Sequence, residues 1–216
     1  MQRYFASTFN NQVILNKDDV FHLTKVMRVK SGDYIEIVDE NHQPYLAVVV
    51  NVNPLVIEKQ EPIIKNSELN KNVTLFFGLA KSDKVEFVIQ KATELGASSV
   101  ILFQGKRSVV KFSNEDFERK LPRFNAIAKE AAEQCHREII PEIKYIKSIN
   151  EVDKYMCDLN LFAYELSAGS TNGFDESEAN YLDKIGFKRV SLGKRILRCE
   201  TAAVYVLSVL AFNIEK

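Results

Sequence analysis

The sequence predicts an α/β protein with two domains. Residues 1–70 are expected to form a small β-barrel or sandwich, because short segments of alternating apolar residues are separated by turn residues. Residues 71–216 are expected to form an α/β domain with a mostly parallel sheet, because strand patterns and helix patterns alternate there. A polar stretch at 65–72 lies between the two patterns and is interpreted as the linker.

The first domain contains one helical pattern among its strands. Strands are predicted at 13–15, 34–38, 47–52 and 55–59, separated by turn signals at 31–33, 41–44 and 53–54. Between the first two strands, Asn16 or Asp18 can cap a helix. Its apolar residues have near-helical spacing, which leaves His22, Lys25 and Arg28 at an edge or on the other face.

The second domain is predicted from strands at 73–79, 98–103, 159–164 and 188–192. Asp83 with Glu86 forms a capping-box signature for a helix that closes at Gly96, and Asp175 with Glu178 forms another for a helix that stops at Gly186. A long helical region begins at Asn114 and ends at Pro141, and Pro122 marks either a kink or a break within it.

The segment after the last strand combines a glycine turn with two arginines. Gly193 permits a tight backbone path, and Arg195 and Arg198 follow it. Residues 201–212 are apolar on nearly every face, which predicts a fully buried helix. Strand-loop-helix junctions of this kind are where α/β proteins place ligands.

Composition indicates a globular protein that stays outside membranes. Of the 216 residues, 46% are hydrophobic, which is enough for a core, and the longest apolar run, 202–212, is too short for a bilayer. No targeting segment is recognised, so a cytoplasmic location is expected. The three cysteines, Cys135, Cys157 and Cys199, form no C-x-x-C pair, so neither a disulfide framework nor a zinc site is indicated.

Charge gives only local support for a nucleic-acid partner. Lysine plus arginine and aspartate plus glutamate both total 29. Residues 1–30 carry a local excess of positive charge from Arg3, Lys17, Lys25, Arg28 and Lys30 against Asp18 and Asp19. Most such excesses are solvated surface, so this cluster alone is weak evidence.

Common catalytic motifs are absent from the sequence, and three polar clusters remain. The nucleotide-binding glycine motifs, the G-x-S-x-G motif and paired metal-binding histidines are missing, and His22, His42 and His136 are interpreted as surface or satisfied histidines. The clusters are 81–84 with Lys91, Thr93 and Glu94; 104–108; and Glu130, Glu133, Gln134, His136 and Arg137. For the third, a helical salt-bridge ladder is the preferred interpretation.

Taken in order, several motifs resemble one known family over almost the whole chain. They are Arg3-Tyr4-Phe5; His22-Leu23 through Val26-Met27-Arg28 to Gly32-Asp33; 91–96; Arg107-Ser108; 130–134 with Arg137 and 140–142; and 191–203. This pattern resembles the RsmE-type 16S ribosomal RNA uridine N3-methyltransferases of the SPOUT class. The resemblance implies a PUA-like β-barrel that binds RNA, an α/β domain with a deep trefoil knot, and a homodimer with its site completed across the interface.

The resemblance also implies the cofactor and the site residues. The cofactor is S-adenosylmethionine, and the partner is 16S ribosomal RNA or the small ribosomal subunit. Cofactor contacts are expected from Ala163, Tyr164, Glu165, Gly173, Leu192, Gly193, Ile196, Leu197, Arg198 and Thr201. Catalytic roles are expected for Arg198, Arg195 and Glu133, with Glu165 and Glu200 as other candidate bases, and RNA contacts for Arg3, Lys25, Arg28 and Arg107.

One part of the family pattern is missing. The family has a helix, a strand and a glycine-rich G-P-E-G-G-F loop where this chain passes from Glu165 to Asp175, and only Gly173-Phe174 of the loop is present. A missing helix and strand amount to ~17 residues on mean element lengths. The segment is either truly deleted or absent from this sequence near 166–174 but present in the protein. We favour the second, because the flanking residues keep the family pattern.

Two alternatives to this function stay open. One is a SPOUT methylase that acts on another RNA nucleotide. The other is a non-catalytic RNA-binding dimer whose second domain has lost its cofactor site.

Overall fold

The computed structural model describes residues 1–108, 110–164 and 173–216. The chain forms two compact units. The first contains Met1–Glu68 and Lys129–Ile140, and the second contains Leu69–Ala128 and Pro141–Lys216. The domain boundary at residue 70 stays a prediction. The first unit also includes a stretch from the middle of the chain, Lys129–Ile140.

The first unit is built on one six-stranded sheet in the order β1-β4-β5-β6-β3-β2. Its strands are β1 (Arg3–Phe5), β2 (Ser7–Phe9), β3 (Gln12–Ile14), β4 (Tyr34–Val38), β5 (Pro44–Val52) and β6 (Leu55–Pro62). β1 pairs with β4 in parallel, and the other neighbours are antiparallel. Only Ala6 separates β1 from β2, so the two edges of the sheet must lie next to each other, which agrees with a β-barrel.

Alternation along β4 and β5 produces the core of the first unit. Ile35 and Ile37 of β4 pack with Ala47 and Val49 of β5, and all four side chains are buried. The helix α1 (Lys17–Phe21) continues into a π-helical turn, His22–Val26, which buries Leu23 in the same cluster. Asn16 caps α1 by accepting a hydrogen bond from the Asp19 amide at 2.9 Å, which confirms the first of the two predicted caps.

The second unit contains parallel strands, as predicted. One sheet has the order β7 (Thr74–Gly78), β8 (Ser99–Phe103) and β9 (Glu142–Ile146), and another pairs β10 (Leu161–Ala163) with β11 (Lys188–Val190). Helices α2 (Ser82–Glu94), α4 (Glu176–Lys184) and α5 (Cys199–Ile214) and the 3₁₀ segment Ile149–Tyr155 accompany them. Side chains from both sheets share one apolar core, which includes Phe103, Ile146 and Phe162.

The long helix α3 (Asn114–Gln134) contains Pro122 without interruption. The alternative of two separate helices is therefore wrong. The helix also ends before Pro141, since His136 has a left-handed φ of 59°. The strand β9, which follows Pro141, was not predicted.

The two capping boxes have different outcomes. The box at Asp175 and Glu178 is confirmed, because each side chain accepts a hydrogen bond from the other residue's amide. The box at Asp83 and Glu86 is wrong: α2 begins at Ser82, so Asp83 lies inside the helix, and the N-cap residue is Lys81, which makes no side-chain cap.

The helix α5 is only partly buried, so the prediction of full burial is wrong. Ala203 and Leu207 are buried on the face that packs against α2. Tyr205, Val209 and Phe212 lie on an exposed face, and Phe212 is 59% exposed. Within the described residues, no helix is both long enough and apolar enough to span a bilayer.

Candidate functional site

The ends of β10 and β11 bring together residues that are distant in sequence. The two strands are parallel, with Ala163 opposite Val190, and the Tyr164 amide donates a hydrogen bond to the Val190 carbonyl at 3.2 Å. Because the carboxyl ends of parallel strands meet at one edge, Tyr164 and Ser191 leave the sheet at the same edge, and Leu192 follows Ser191. Glu165, the next predicted cofactor residue, lies outside the described part of the chain.

The loop after β11 presents most of its side chains to solvent. Gly193 has a φ of 108°, a left-handed conformation that favours glycine, and a Cβ added there would meet no atom within 4 Å. Arg195, Ile196 and Arg198 are exposed, and Arg198 is the N-cap residue of α5. The predicted Leu192, Leu197 and Thr201 belong to the same loop and the first turn of α5.

Gly173 lies directly before a residue that is fixed in the core. The Phe174 ring stacks on Phe103 at a centroid distance of 5.8 Å and meets Phe162 edge-on at 5.7 Å. These contacts hold Phe174 beside β8 and β10, and the role of Gly173 in binding a cofactor stays a prediction.

Glu178 fixes the polar cluster at 104–108 through a hydrogen bond to its backbone. Its buried carboxylate accepts hydrogen bonds from the Lys106 amide at 2.9 Å and, through the capping box, from the Asp175 amide at 2.8 Å. The sequence predicted Glu178 only as a helix cap. Its contact with Lys106 fixes the loop that carries Arg107, whose side chain is exposed.

A second polar contact joins α2 to α5. Lys84 Nζ lies 3.0 Å from Glu200 Oε2, and the Cys199 thiol donates to the same oxygen at 3.1 Å. Burial raises the pKa of Glu200, but its backbone amide and the hydrogen bonds from Cys199 and Lys84 together hold it below the ordinary value. A carboxylate held in its charged form is a weaker general base.

Glu133 belongs to a buried ion-pair network of the first unit. Its carboxylate lies 2.8 Å from Lys129 Nζ and accepts a hydrogen bond from the Phe5 amide at 3.3 Å, and Lys129 also pairs with Asp19 at 2.6 Å. Burial outweighs these contacts and raises the pKa of Glu133 above its ordinary value. Arg195 and Arg198 belong to the second unit, and the catalytic role of Glu133 stays a prediction.

The salt-bridge ladder predicted along α3 is wrong. Arg137 instead pairs with Glu68, whose two carboxylate oxygens lie 3.0 and 3.1 Å from Arg137 Nε. Glu133 pairs with Lys129 on its own helix, and Glu130 is exposed. The ladder fails because Arg137 pairs with Glu68, which is 69 residues away along the chain, while Glu133 pairs with Lys129 four residues before it on the same helix.

Arg3 is a structural residue rather than an exposed RNA contact. Its side chain is 4% exposed; Nε donates to Glu36 at 2.9 Å, and Nη1 donates to the His136 carbonyl at 2.6 Å. This burial corrects the prediction that Arg3 contacts phosphate. Lys25 and Arg28, by contrast, are exposed on the surface of the first unit.

Each of the three histidines has a hydrogen-bond partner. This agrees with their interpretation as satisfied residues. His22 Nδ1 lies 2.9 Å from the Tyr4 hydroxyl, His42 Nδ1 lies 3.2 Å from the Glu138 carbonyl, and His136 Nδ1 lies 2.9 Å from Glu36. Among the residues that the structure describes, no group of three or more histidine, cysteine and acidic side chains could hold a metal ion.

Comparison with known proteins shows the family. A model named RNA methyltransferase domain matches residues 67–172 and 165–211, and one named RNA methyltransferase PUA domain matches 15–58. A Bacillus subtilis protein named ribosomal RNA small subunit methyltransferase E is 32% identical, over 100% of this chain and 98% of that protein. The chain belongs to the ribosomal RNA small subunit methyltransferase E family. A Mesomycoplasma hyopneumoniae member is 31% identical over 96% and 98% of the two chains.

Solved structures confirm the fold of this ribosomal RNA small subunit methyltransferase E family member. A crystal structure titled as a hypothetical protein is 31% identical, with a TM-score of 0.87 and 99% coverage of both chains. The Neisseria gonorrhoeae ribosomal RNA small subunit methyltransferase E, bound to S-adenosyl methionine, is 24% identical with a TM-score of 0.84 over 99% and 98%. The chain therefore has a PUA-like domain and an α/β methyltransferase domain with parallel sheet.

The family match is interrupted at one place. The methyltransferase model matches in two segments that overlap at 165–172. The alignment with the Bacillus subtilis protein runs over 253 residues, more than the 216 of this chain, so that relative has residues with no counterpart here. The overlap at 165–172 lies where the sequence resemblance predicts that the glycine-rich loop is missing.

Proposed function

We propose that this protein transfers a methyl group from S-adenosylmethionine to N3 of a uridine in the 16S ribosomal RNA of the small subunit. The observation that carries the proposal is the full-length similarity to the Bacillus subtilis ribosomal RNA small subunit methyltransferase E. The cofactor follows from the Neisseria gonorrhoeae relative, which is described as bound to it. The uridine and its N3 atom follow from the sequence resemblance.

Two sides of a cofactor site fit the described residues. Support comes from the parallel pairing of β10 with β11, whose ends carry Ala163 and Tyr164 on one strand and lead to Leu192 on the other, and from the open space at Gly193, which lets a ligand approach the backbone. Ile196, Leu197, Arg198 and Thr201 would complete this side, and Gly173 is the proposed contact from the second side. S-adenosylmethionine supplies an activated methyl group on a positively charged sulfur. The third side falls on residues outside the described part of the chain.

The protein must align the uracil ring and stabilise the charge that forms on it. As the imide nitrogen loses its proton, negative charge spreads to the uracil carbonyl oxygens, so a fixed arginine stabilises the transition state more than the ground state. Arg195 and Arg198 are assigned this role. Glu133, Glu165 and Glu200 are the candidate bases, and the lowered pKa of Glu200 weakens it in that role.

The absent segment is proposed to contain a strand of the parallel sheet. Such a strand would explain why the described strands of the second unit form two sheets although they share one apolar core. The trefoil knot is inferred from the family resemblance alone. Its three loops would enclose the cofactor only with the glycine-rich loop present.

The protein is proposed to act as a cytoplasmic homodimer. The exposed apolar face of α5 supports this, because Tyr205, Val209 and Phe212 would be covered by the same face of a second copy. Thr201, the predicted site residue on α5, lies one helical turn before Tyr205 of this face. This closeness supports a site that is completed across the interface.

Two experiments separate this proposal from its alternatives. Calorimetry with S-adenosylmethionine should show binding for a methylase, whereas a non-catalytic RNA-binding dimer should show none. Mapping of methylated nucleotides on ribosomal RNA from cells with and without the gene should then show one N3-methyluridine that depends on the gene. Loss of a different methylated nucleotide would support the other SPOUT methylase.

A further inference from the structure

A buried carboxylate of α4 accepts hydrogen bonds from two separate segments of the second unit. Glu178 is 4% exposed, and its Oε1 atom accepts from the Lys106 amide at 2.9 Å, although Lys106 lies 72 residues away along the chain. Its Oε2 atom accepts from the Asp175 amide at 2.8 Å and completes the capping box. A capping box needs only one side-chain oxygen at this position, and glutamine serves there as well as glutamate. The second contact of Glu178 therefore goes beyond helix capping.

The residues that Glu178 holds form a tight turn after β8. The Ser108 amide donates to the Gly105 carbonyl at 3.0 Å, and the Gly105 amide donates to the Ser108 hydroxyl at 3.0 Å. These two bonds fix the shape of the turn but not its position on the protein. The Lys106 amide bonds to α4 instead, so Glu178 fixes where the turn lies. We call residues 105–108 the β8 turn.

The side chain of Lys106 contributes less to this position than its backbone does. Lys106 Nζ lies 3.6 Å from Asp175 Oδ2 and also donates to the Ser177 hydroxyl, but the lysine side chain is 61% exposed. Exposed ion pairs contribute little because water screens them. The hydrogen bond from the Lys106 amide ends on a buried, charged acceptor, which is the stronger kind.

The support on which Glu178 lies is itself rigid. Ala179 and Leu182 of α4 are buried in the apolar core of the second unit. Just before the helix, the Phe174 ring stacks on Phe103, the last residue of β8, at a centroid distance of 5.8 Å. Glu178 therefore ties the β8 turn to a part of α4 that cannot shift on its own.

We propose that Glu178 is a positioning residue, which holds the β8 turn so that Arg107 meets backbone phosphates of the RNA substrate. The proposal rests on the proposed function, since it takes Arg107 as a contact to ribosomal RNA. Arg107 is exposed and directly follows the amide that Glu178 binds. A basic side chain on a loop that is already fixed loses less conformational entropy on binding than one on a mobile loop.

The test compares the full-length variants Lys106→Pro and Lys106→Ala. Proline has no backbone N–H and is favoured at the second position of a β-turn, which Lys106 occupies. Lys106→Pro thus removes the hydrogen bond to Glu178 and keeps the turn, whereas Lys106→Ala keeps the amide. Both variants lack the lysine side chain, so any contact that it makes with RNA is lost from both.

Steady-state methyl transfer to small ribosomal subunits then separates positioning from a general structural effect. We expect the KM for the subunits to be roughly tenfold higher in Lys106→Pro than in Lys106→Ala, because a hydrogen bond to a charged group is lost. The kcat and the Kd for S-adenosylmethionine should be equal in the two variants. Equal KM values, or a lower kcat or weaker cofactor binding in Lys106→Pro, would overturn the proposal.

A double-mutant cycle tests whether the effect acts through Arg107. In an Arg107→Ala background, Lys106→Pro and Lys106→Ala should give the same KM, because the side chain that the turn positions is gone. A tenfold difference that persists in this background would contradict the positioning role.

Glu178→Ala and Asp175→Ala form a second pair of variants, which does not alter the β8 turn itself. Both break the capping box, but only Glu178→Ala also removes the acceptor of the Lys106 amide. The KM for small subunits should be higher in Glu178→Ala than in Asp175→Ala. Equal values would show that Glu178 acts only as a helix cap.

Direct binding of small ribosomal subunits distinguishes failure of this proposal from failure of the proposed function. If Lys106→Pro binds subunits more weakly than Lys106→Ala but the wild type transfers no methyl group, the positioning role stands and the proposed function is lost. If the wild type transfers methyl groups and both variants bind subunits equally, only the positioning role is lost.

Discussion

Arg3 connects three parts of the first unit through one buried guanidinium. It donates to Glu36 of β4 and to the backbone carbonyls of His136 and Arg137, which follow α3. Removal of one partner from a buried ion pair leaves the other charge unpaired, which is costly. We expect Arg3→Met to lower the free energy of unfolding by about 3 kcal/mol in urea titrations. Lys25→Met, on the exposed surface, is the control, and equal stabilities of the two variants would contradict the assignment.

The ion pair between Arg3 and Glu36 predicts how the free energy of unfolding depends on pH. Burial alone raises the pKa of Glu36, but hydrogen bonds from Arg3 and His136 outweigh it and hold the pKa below its ordinary value of 4.5. A lowered pKa in the folded state gives stability that is present above 4.5 and is lost as the pH falls through the lower, folded-state value. The free energy of unfolding should therefore fall more steeply below this pH in the wild type than in Glu36→Gln. Parallel curves would show that Glu36 contributes nothing.

The contrast between Arg3 and Lys25 shows that the sequence could not distinguish a buried basic residue from an exposed one. Both lie in the positive cluster at 1–30, and both were predicted to bind RNA. The partners of Arg3 are 33 and 133 residues away along the chain, so no local pattern indicates its burial. The site residues near Gly193 were predicted because a glycine turn, two arginines and an apolar helix follow each other directly, and their roles stay a prediction.

At the scale of elements, α5 is the clearest departure from its predicted environment. Its apolar composition predicts burial on all sides, but one face is exposed, and in the proposed dimer a second copy would cover it. Val209→Asp should place a charge in that interface and shift the protein from dimer to monomer in sedimentation experiments. Gln90→Glu, which adds the same charge to an exposed position of α2, should remain dimeric. A wild-type protein that is monomeric at the same concentration would contradict the dimer.

The regular elements were predictable where the sequence period was strong. β4 was predicted with its observed bounds, since apolar and polar residues alternate along it. β1 and β2 have three residues each and were missed, although Asn10 and Asn11, with φ values of 47° and 65°, are a recognisable signal for the turn between β2 and β3. Such short strands depend on pairing with distant neighbours.

At the scale of the whole molecule, the two separate parallel sheets and the interrupted family match point to the same position. Both agree with the prediction that a helix and a strand of the family pattern are missing from the sequence near 166–174. Mass spectrometry of the purified protein should therefore give a mass above 24.7 kDa. The excess should be about two thousand daltons, as a helix and a strand of mean length require. A mass equal to 24.7 kDa would show a true deletion.

The most direct measurement for the whole account is methyl transfer to ribosomal RNA. Purified protein is incubated with labelled S-adenosylmethionine and small ribosomal subunits from cells that lack the enzyme, and the RNA is digested and its nucleosides are identified. We expect the label in one N3-methyluridine, with the rate reduced roughly 100-fold in Arg198→Ala and unchanged in Arg119→Ala on α3. Label in another nucleoside, or equal rates for wild type and Arg198→Ala, would contradict the account.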